Sequence, residues 1–122
     1  MSIEKKNEFY VRIYKYGLGI IRLVEKLPKD ATSAVLGKQL LRSGTSVSAN
    51  IIEAKAASSK KDYINFYHYA LKSANESKLW ISYLRDSYKI TKEESENILK
   101  ETNEIANIIA ASIITMKNKK KI

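Results

Sequence analysis

The sequence contains very few residues that interrupt a helix. Among its 122 residues there is one proline, Pro28, and there are only four glycines. Proline removes a backbone donor and glycine adds backbone entropy, so their scarcity permits long uninterrupted helices. No stretch shows the strict alternation of apolar and polar residues that is typical of a strand. The chain is therefore predicted to be all-α.

Apolar residues recur at steps of three and four along four segments of the chain. This period places them on one face of a helix, and that face must pack against other helices to leave water. The segments predict helices at about 8–27, 33–57, 60–88 and 92–117. Short connections favour antiparallel neighbours, so we expect a single domain over 1–122, an antiparallel up-down-up-down four-helix bundle. A flexible lysine-rich C-terminal tail is expected at about 117–122.

Composition excludes several classes of site and location. The sequence has no cysteine, which rules out disulfides and thiolate metal sites and suits a reducing cytoplasm. The first residues lack the apolar run of a signal peptide, and no stretch is apolar enough to span a membrane. A cytoplasmic chain without a membrane partner is expected.

The sequence offers no convincing catalytic or metal-binding set. His68 is the only histidine, and it falls on the solvated face of the third predicted helix, away from the serines of the second. A dimetal site in a helical bundle needs Glu-x-x-His motifs on facing helices, and no such motif occurs. We therefore expect a protein that is not an enzyme and that carries no metal or cofactor.

Net charge is the least ordinary property of the chain, because 22 Lys and Arg residues against 13 Asp and Glu give +9. An antiparallel bundle brings its second turn and the end of its fourth helix to the same end of the molecule. The candidate nucleic-acid-binding residues at that end are Lys55, Lys60, Lys61, Lys117, Lys119, Lys120 and Lys121. Without a sequence-reading motif, binding should be directed at the backbone and weakly specific. A solubilising tail with ordinary surface lysines explains the same residues equally well.

A polar stripe follows one edge of the second predicted helix. Its members are Gln39, Arg42, Ser46, Asn50 and Glu53. Arg42 and Glu53 are about 16 Å apart along the helix, so each needs a partner on a neighbouring helix or subunit. A structural network, within the bundle or between subunits, is favoured over a ligand site because no small-molecule motif accompanies the stripe.

Apolar side chains also occur outside the core stripes of the second and third helices. On the third helix, Leu79 and Tyr83 fall on the face expected to be solvated, and Trp80 flanks the core. A monomeric bundle would leave these apolar side chains exposed to water, so a subunit interface is the favoured explanation. The alternative is that these are single exposed apolar residues, which are common.

Linked motifs in the middle of the chain resemble those of one protein family. They are the run from Gln39 to Asn50 with Glu53-Ala54, the segment Ser59-Lys60-Lys61-Asp62-Tyr63, and Glu76-Ser77-Lys78-Leu79-Trp80. In this order they are similar to the signature of the 23S rRNA-intervening-sequence family of four-helix-bundle proteins, over roughly residues 8–116. Ala54-Lys55 stands where some members have glycine, which is a modest departure.

The resemblance implies a bacterial bundle that assembles as a cyclic homo-oligomer, with a pentamer as the expected form. A related branch is the accessory variability determinant of diversity-generating retroelements, which partners a reverse transcriptase and binds nucleic acid. The chain is thus expected to be a non-enzymatic, ring-forming adaptor that binds RNA, DNA or a nucleic-acid enzyme such as a reverse transcriptase. The alternative is a structural or protein-interaction module with no nucleic-acid role.

Overall fold

The computed structural model describes residues 1–119, which form four α-helices joined by short turns. Helix α1 spans Ile3–Glu25, α2 spans Ala31–Ala54, α3 spans Lys60–Asp86 and α4 spans Lys92–Asn118. No strand occurs within this part of the chain. The all-α, four-helix class predicted from the apolar period is confirmed.

A side-chain oxygen caps the N-terminus of every helix. Ser2, Asp30, Ser59 and Thr91 each accept a hydrogen bond from the backbone N–H three residues ahead. Each cap satisfies a donor that has no partner inside the helix. Thr91 also completes a reciprocal capping box with Glu94.

Helix α1 begins at Ile3, five residues before the predicted start. Its first turns are charged and give no apolar signal, but the Ser2 hydroxyl accepts from the Lys5 N–H at 3.2 Å and fixes the start there. At the other side of the bundle, α3 ends at Asp86 because Tyr88 has a φ of 62°. This left-handed conformation stops a helix.

Helix α4 continues to Asn118, so the lysine-rich segment predicted as a flexible tail from about 117 begins as helix. Lys119 is the residue that caps this helix. The remainder of the predicted tail, residues 120–122, lies outside the described residues. Helix α2 ends at Ala54, a few residues before its predicted end.

Each helix packs against its neighbours along the chain, and α1 closes against α4. Between α1 and α2, Tyr10 lies against Lys55 and Ile20 against Gly44, so the two helices run in opposite directions. Contacts between α2 and α3, and between α3 and α4, show that these neighbours also run in opposite directions. One end of the molecule therefore gathers the start of α1, the end of α2, the start of α3 and the end of α4.

Gly44 permits a close approach between α1 and α2. A Cβ atom at this position would lie 2.8 Å from Cγ2 and 2.9 Å from Cγ1 of Ile20, which is inside contact distance. Ile20 is completely buried and cannot swing away. The glycine is therefore required by packing, and not by an unusual backbone angle.

A layer of paired hydroxyls crosses the otherwise apolar core. The Tyr16 hydroxyl lies 2.7 Å from Thr102 Oγ1, which links α1 to α4, and Ser43 Oγ lies 2.8 Å from Ser77 Oγ, which links α2 to α3. Burial raises the pKa of Tyr16 to about 12, so its hydroxyl stays protonated through the neutral range. Because each of these buried hydroxyls has a partner, the layer avoids the cost of an unsatisfied polar group.

Candidate nucleic-acid interface

Lysines from the second turn and from the end of α4 meet at one end of the bundle. Lys60, at the start of α3, donates a hydrogen bond from Nζ to the carbonyl oxygen of Lys119 at 3.1 Å. Lys61 and Lys117 lie within two residues of this contact and are exposed. The structure thus brings together these candidate lysines, which the sequence separates by more than fifty residues.

Lys55 lies at the same end and is held against α1. Its Nζ is 3.9 Å from the centre of the Tyr10 ring, a cation–π contact worth about 0.5–1 kcal/mol at an exposed site. Lys55 is also the C-cap of α2, where a positive charge interacts favourably with the negative end of the helix dipole. This lysine therefore ties two helices together as well as contributing charge.

Sequence reasoning missed two lysines at this end, Lys5 and Lys6. Both lie in the first turns of α1, and Lys6 Nζ is 3.5 Å from the Tyr63 hydroxyl and 5.5 Å from the centre of that ring. The available signal was Ser2 followed by Glu4, an N-cap residue with an acid in the first turn. Placing the helix start there would have put both lysines beside Lys55 and Lys60.

We call this surface the basic end and define it by its described lysines: Lys5, Lys6, Lys55, Lys60, Lys61, Lys117 and Lys119. None of them forms an ion pair with another residue in 1–119. Ammonium groups without an adjacent carboxylate retain their attraction for an external anion. Lys120 and Lys121, which were predicted to bind with them, lie outside the described residues.

Two stacked tyrosines stand beside these lysines. The ring centres of Tyr63 and Tyr67 are 5.0 Å apart, and the Tyr63 hydroxyl donates to the Tyr67 hydroxyl at 3.3 Å. Tyr67 is almost fully buried, and this burial raises the pKa of its hydroxyl far above the ordinary value. The Tyr67 hydroxyl therefore stays protonated at physiological pH, and its hydrogen bond and ring contact hold the Tyr63 ring in position.

The polar stripe of α2 is satisfied within the bundle for four of its five members. Arg42 donates from Nη2 to both carboxylate oxygens of Glu76 on α3, at 2.8 and 2.9 Å, and also to Gln39 Oε1 at 3.0 Å. Ser46 and Asn50 instead donate to backbone carbonyl oxygens one turn earlier in their own helix. These contacts support the structural interpretation of the stripe.

Glu53, the last member of the stripe, is exposed, and no side-chain hydrogen bond or ion pair joins it to another residue in 1–119. The expected partner of this carboxylate on a neighbouring helix is therefore not found in the described chain. A partner on another subunit stays a prediction.

An apolar surface runs along the exposed side of α3. Leu79 and Tyr83 are 45% and 52% exposed, and the ring of the half-buried Trp80 lies 6.2 Å from that of Tyr83. Tyr69, three turns earlier, is 51% exposed and lies on the same side by the helix period. We call Tyr69, Leu79, Trp80 and Tyr83 the α3 apolar face.

The described chain shows neither a cluster of metal ligands nor a membrane-spanning helix. No group of three or more His, Asp or Glu side chains could hold a metal ion within residues 1–119. His68 is half-buried on α3. Over the same range no helix has both the length and the apolar character that a membrane crossing requires.

Comparison with known proteins identifies the family. A family model described as the 23S rRNA-intervening sequence protein matches residues 5–111. The chain belongs to this family. The match confirms the resemblance carried by the central motifs, and it includes Lys5, Lys6, Lys55, Lys60 and Lys61 while ending before Lys117.

A solved family member has the same fold. It is a protein of unknown function from the S23 ribosomal protein family of Bacteroides thetaiotaomicron, with 36% sequence identity and a TM-score of 0.82. The alignment covers 86% of this chain and 97% of that chain. No curated protein matches the sequence. Family membership therefore establishes a small helical fold, and the function has to be argued from the surface.

Proposed function

We propose that this protein is a non-enzymatic, self-associating adaptor that binds nucleic acid, or an enzyme acting on nucleic acid, through the basic end. The observation that carries the proposal is the convergence of unpaired lysines from all four helix termini on one surface, with Lys60 in direct contact with Lys119. Such a function would operate in the cytoplasm, where nucleic acid is found.

The chemistry of the basic end determines how it would bind. Lysine ammonium groups neutralise phosphates and release counterions, so affinity depends strongly on salt. They recognise charge and not base edges, and every described candidate at this end is a lysine rather than an arginine with a planar fork. We therefore expect tight binding at low salt, little dependence on sequence, and binding to both RNA and DNA.

A salt series tests the proposal. Binding of labelled RNA and DNA duplexes would be measured for the intact protein and for the double variant Lys60→Gln/Lys61→Gln. Each lost phosphate contact should reduce the slope of log affinity against log salt by about 0.9 for duplex DNA. The matched control is Lys29→Gln/Lys38→Gln, which removes the same charge from exposed positions toward the opposite end and should leave the slope unchanged. Absence of binding at low salt, or equal effects of both variants, would contradict the proposal.

Self-association through the α3 apolar face forms the second part of the proposal. Leu79 and Tyr83 are about half exposed, and the Trp80 ring lies beside Tyr83, so α3 presents adjacent apolar side chains to solvent that a partner subunit would cover. A ring requires different faces in contact, and the number five comes from the family resemblance alone. Leu79→Glu/Tyr83→Glu should yield a 13.9 kDa monomer in sedimentation equilibrium at micromolar concentration. Ile114→Glu, at a still more exposed apolar position on α4, should leave the assembly intact.

The same face supports the competing function, a protein-interaction module without a nucleic-acid role. If the intact protein assembles but binds neither RNA nor DNA at low salt, the lysines only keep it soluble. In that case the α3 apolar face is the functional surface, and this second function replaces the first.

A further inference from the structure

A cavity of about 450 Å³ opens within the basic end, between the starts of α1 and α3 and the last turns of α4. Its wall includes the ring of Tyr63, the apolar side chains of Ile108 and Met116, and three lysines, Lys5, Lys6 and Lys119. Its volume falls in the range of sites that hold a small organic molecule. None of the five polar-stripe residues and none of the α3 apolar face contributes to it.

The aromatic wall of the cavity is fixed before any ligand binds. Tyr63 stacks on Tyr67 with ring centres 5.0 Å apart, and the bond between their hydroxyls holds both rings. Tyr67 is 2% exposed, whereas Tyr63 is half-buried, so Tyr63 is the ring that borders the cavity opening. A rigid, accessible ring loses little entropy when a flat group packs against it.

The rim of the cavity is positively charged. Lys6 Nζ already lies near the Tyr63 ring, at 5.5 Å from its centre, and Lys5 and Lys119 line the same opening. Among residues 1–119, no carboxylate lines this cavity. A ligand that has an anionic group next to a flat aromatic group would therefore satisfy both the rim and the wall.

We infer that this cavity receives one unstacked nucleotide of a single-stranded nucleic acid, with the base against Tyr63 and the phosphate at Lys5, Lys6 and Lys119. The inference rests on the proposed function and deepens it, because it states which form of nucleic acid the basic end prefers. A base in a duplex is stacked on both faces and paired along one edge, so it cannot enter. Aromatic rings combined with lysines along a phosphate path are the usual means of holding single strands.

An apolar peptide is the competing occupant. Its side chains would suit Ile108 and Met116, but an apolar group would leave the three lysine ammonium groups at the rim without an anion. Displacing water from charged groups without giving them a partner is unfavourable. The charge of the rim therefore favours the nucleotide.

The test compares a single-stranded oligonucleotide with a duplex of the same sequence at fixed salt, using fluorescence anisotropy. Tyr63→Leu should weaken binding of the single strand by roughly 5- to 150-fold, the range for loss of one base–aromatic stack, and leave duplex affinity within about twofold. The matched control is Tyr14→Leu, which removes an exposed tyrosine on α1, outside the cavity and outside the α3 apolar face, and should change neither affinity.

A second variant covers the case in which Tyr63→Leu does not fold. Ala111 is exposed and lines the cavity, so Ala111→Phe should fill it without disturbing the core, and should reduce single-strand affinity while duplex affinity is retained. Methyl signals of Ile108 and Met116 should shift on addition of a dinucleotide. Equal loss of both affinities, or methyl shifts with an apolar peptide and none with the dinucleotide, would overturn the inference.

The outcomes separate the inference from the proposed function. Salt-dependent binding with no preference for single strands defeats the cavity assignment and leaves the nucleic-acid adaptor standing. Absence of binding to either form defeats the proposed function itself, and the inference with it.

Discussion

The two ends of the bundle are both built from helix termini and carry lysines, but the lysines at the two ends have different contacts. At the end opposite the basic end, which we call the paired end, Lys26 bonds to Glu94 at 2.7 Å and Lys89 bonds to Asp30 at 3.1 Å. At the basic end, three lysines instead contact a tyrosine ring or a backbone carbonyl: Lys6, Lys55 and Lys60. The difference indicates that the charges of Lys26 and Lys89 at the paired end are neutralised internally, whereas the charges of the basic end remain available to an external anion.

Acidic residues are present at the basic end but do not neutralise it. Glu4, Glu8, Glu53 and Asp62 all occur near these helix termini, yet none lies within 4 Å of a lysine nitrogen among residues 1–119. Asp62, for example, accepts from the Ser58 backbone N–H at 3.1 Å and serves the start of α3. The contrast between the ends therefore comes from arrangement as well as composition.

The largest expected effect is on nucleic-acid affinity and comes from removing residues 119–122. This deletion takes away Lys119, Lys120 and Lys121, and the salt slope for duplex DNA should fall by roughly 2–3 units if each contacts a phosphate. The apolar repeat of α4 ends at Met116, so the melting temperature should hardly change. Salt titrations and a thermal melt of both forms check this prediction. An unchanged slope would show that Lys119, Lys120 and Lys121 contact no phosphate, and would contradict their assignment to the interface.

The second prediction concerns alkaline pH and the basic end. Burial raises the pKa of Tyr67, mainly by desolvation, so the folded state keeps this hydroxyl protonated where the unfolded chain ionises. This contribution to stability is complete below about pH 10 and is lost as the pH rises above that value. Tyr67→Phe should therefore show a shallower loss of unfolding free energy between pH 9 and 11.5, in denaturant titrations.

Tyr83→Phe provides the control for this alkaline series, since it removes a hydroxyl from an exposed tyrosine of the same helix. At every pH, the difference in unfolding free energy between this variant and the parent protein should stay the same. If the unfolding free energies of Tyr67→Phe and of the parent fall equally steeply with pH, the buried Tyr67 hydroxyl does not govern the alkaline stability of this protein.

The smallest expected effect is on the unfolding free energy at acid pH and concerns the paired end. The Lys26 ammonium, together with the Thr91 backbone N–H, holds the pKa of Glu94 below its usual range. A lowered carboxyl pKa stabilises the fold above about pH 4, and this contribution is lost as the pH falls through the folded pKa. Lys26→Gln should reduce the acid-induced loss of unfolding free energy by less than about 1 kcal/mol, because the pair is exposed.

Lys61→Gln is the counterpart at the basic end and should leave the acid response as it is, because Lys61 has no carboxylate partner in the described chain. Unfolding titrations at pH 7 and pH 3 would compare the two variants. A larger effect of Lys61→Gln than of Lys26→Gln would contradict the proposed difference between the ends.

Apolar periodicity predicted the four helices because it reports directly which face of each segment leaves water. The same logic placed Lys60 and Lys119 at one end, since helix order and short turns decide which termini meet. It could not locate the start of α1, because charged residues such as Lys5 and Lys6 carry no apolar signal. Only the capping chemistry of Ser2 marks that boundary.

Side-chain pairing was predicted less well than helix positions. An interhelical partner was expected for Arg42, and Glu76 supplies it, but the sequence does not say which carboxylate on α3 lies at the matching height. No individual partner was predicted for Ser46 and Asn50, because helical hydroxyl and amide groups can donate to the preceding turn of their own helix, as these two do. The cavity beside Tyr63 needs three helices at once, which no single-helix pattern can reveal.

The most direct test of the central claim is to follow backbone amide signals of isotope-labelled protein by NMR while a short RNA is added at low salt. The account predicts that the largest shifts occur at Lys5, Lys6, Lys60, Lys61 and Lys119. Signals from Lys26, Lys29, Lys89 and Lys92 should stay where they are. Shifts concentrated at the paired end, or spread evenly over both ends, would contradict the assignment of the basic end as the nucleic-acid interface.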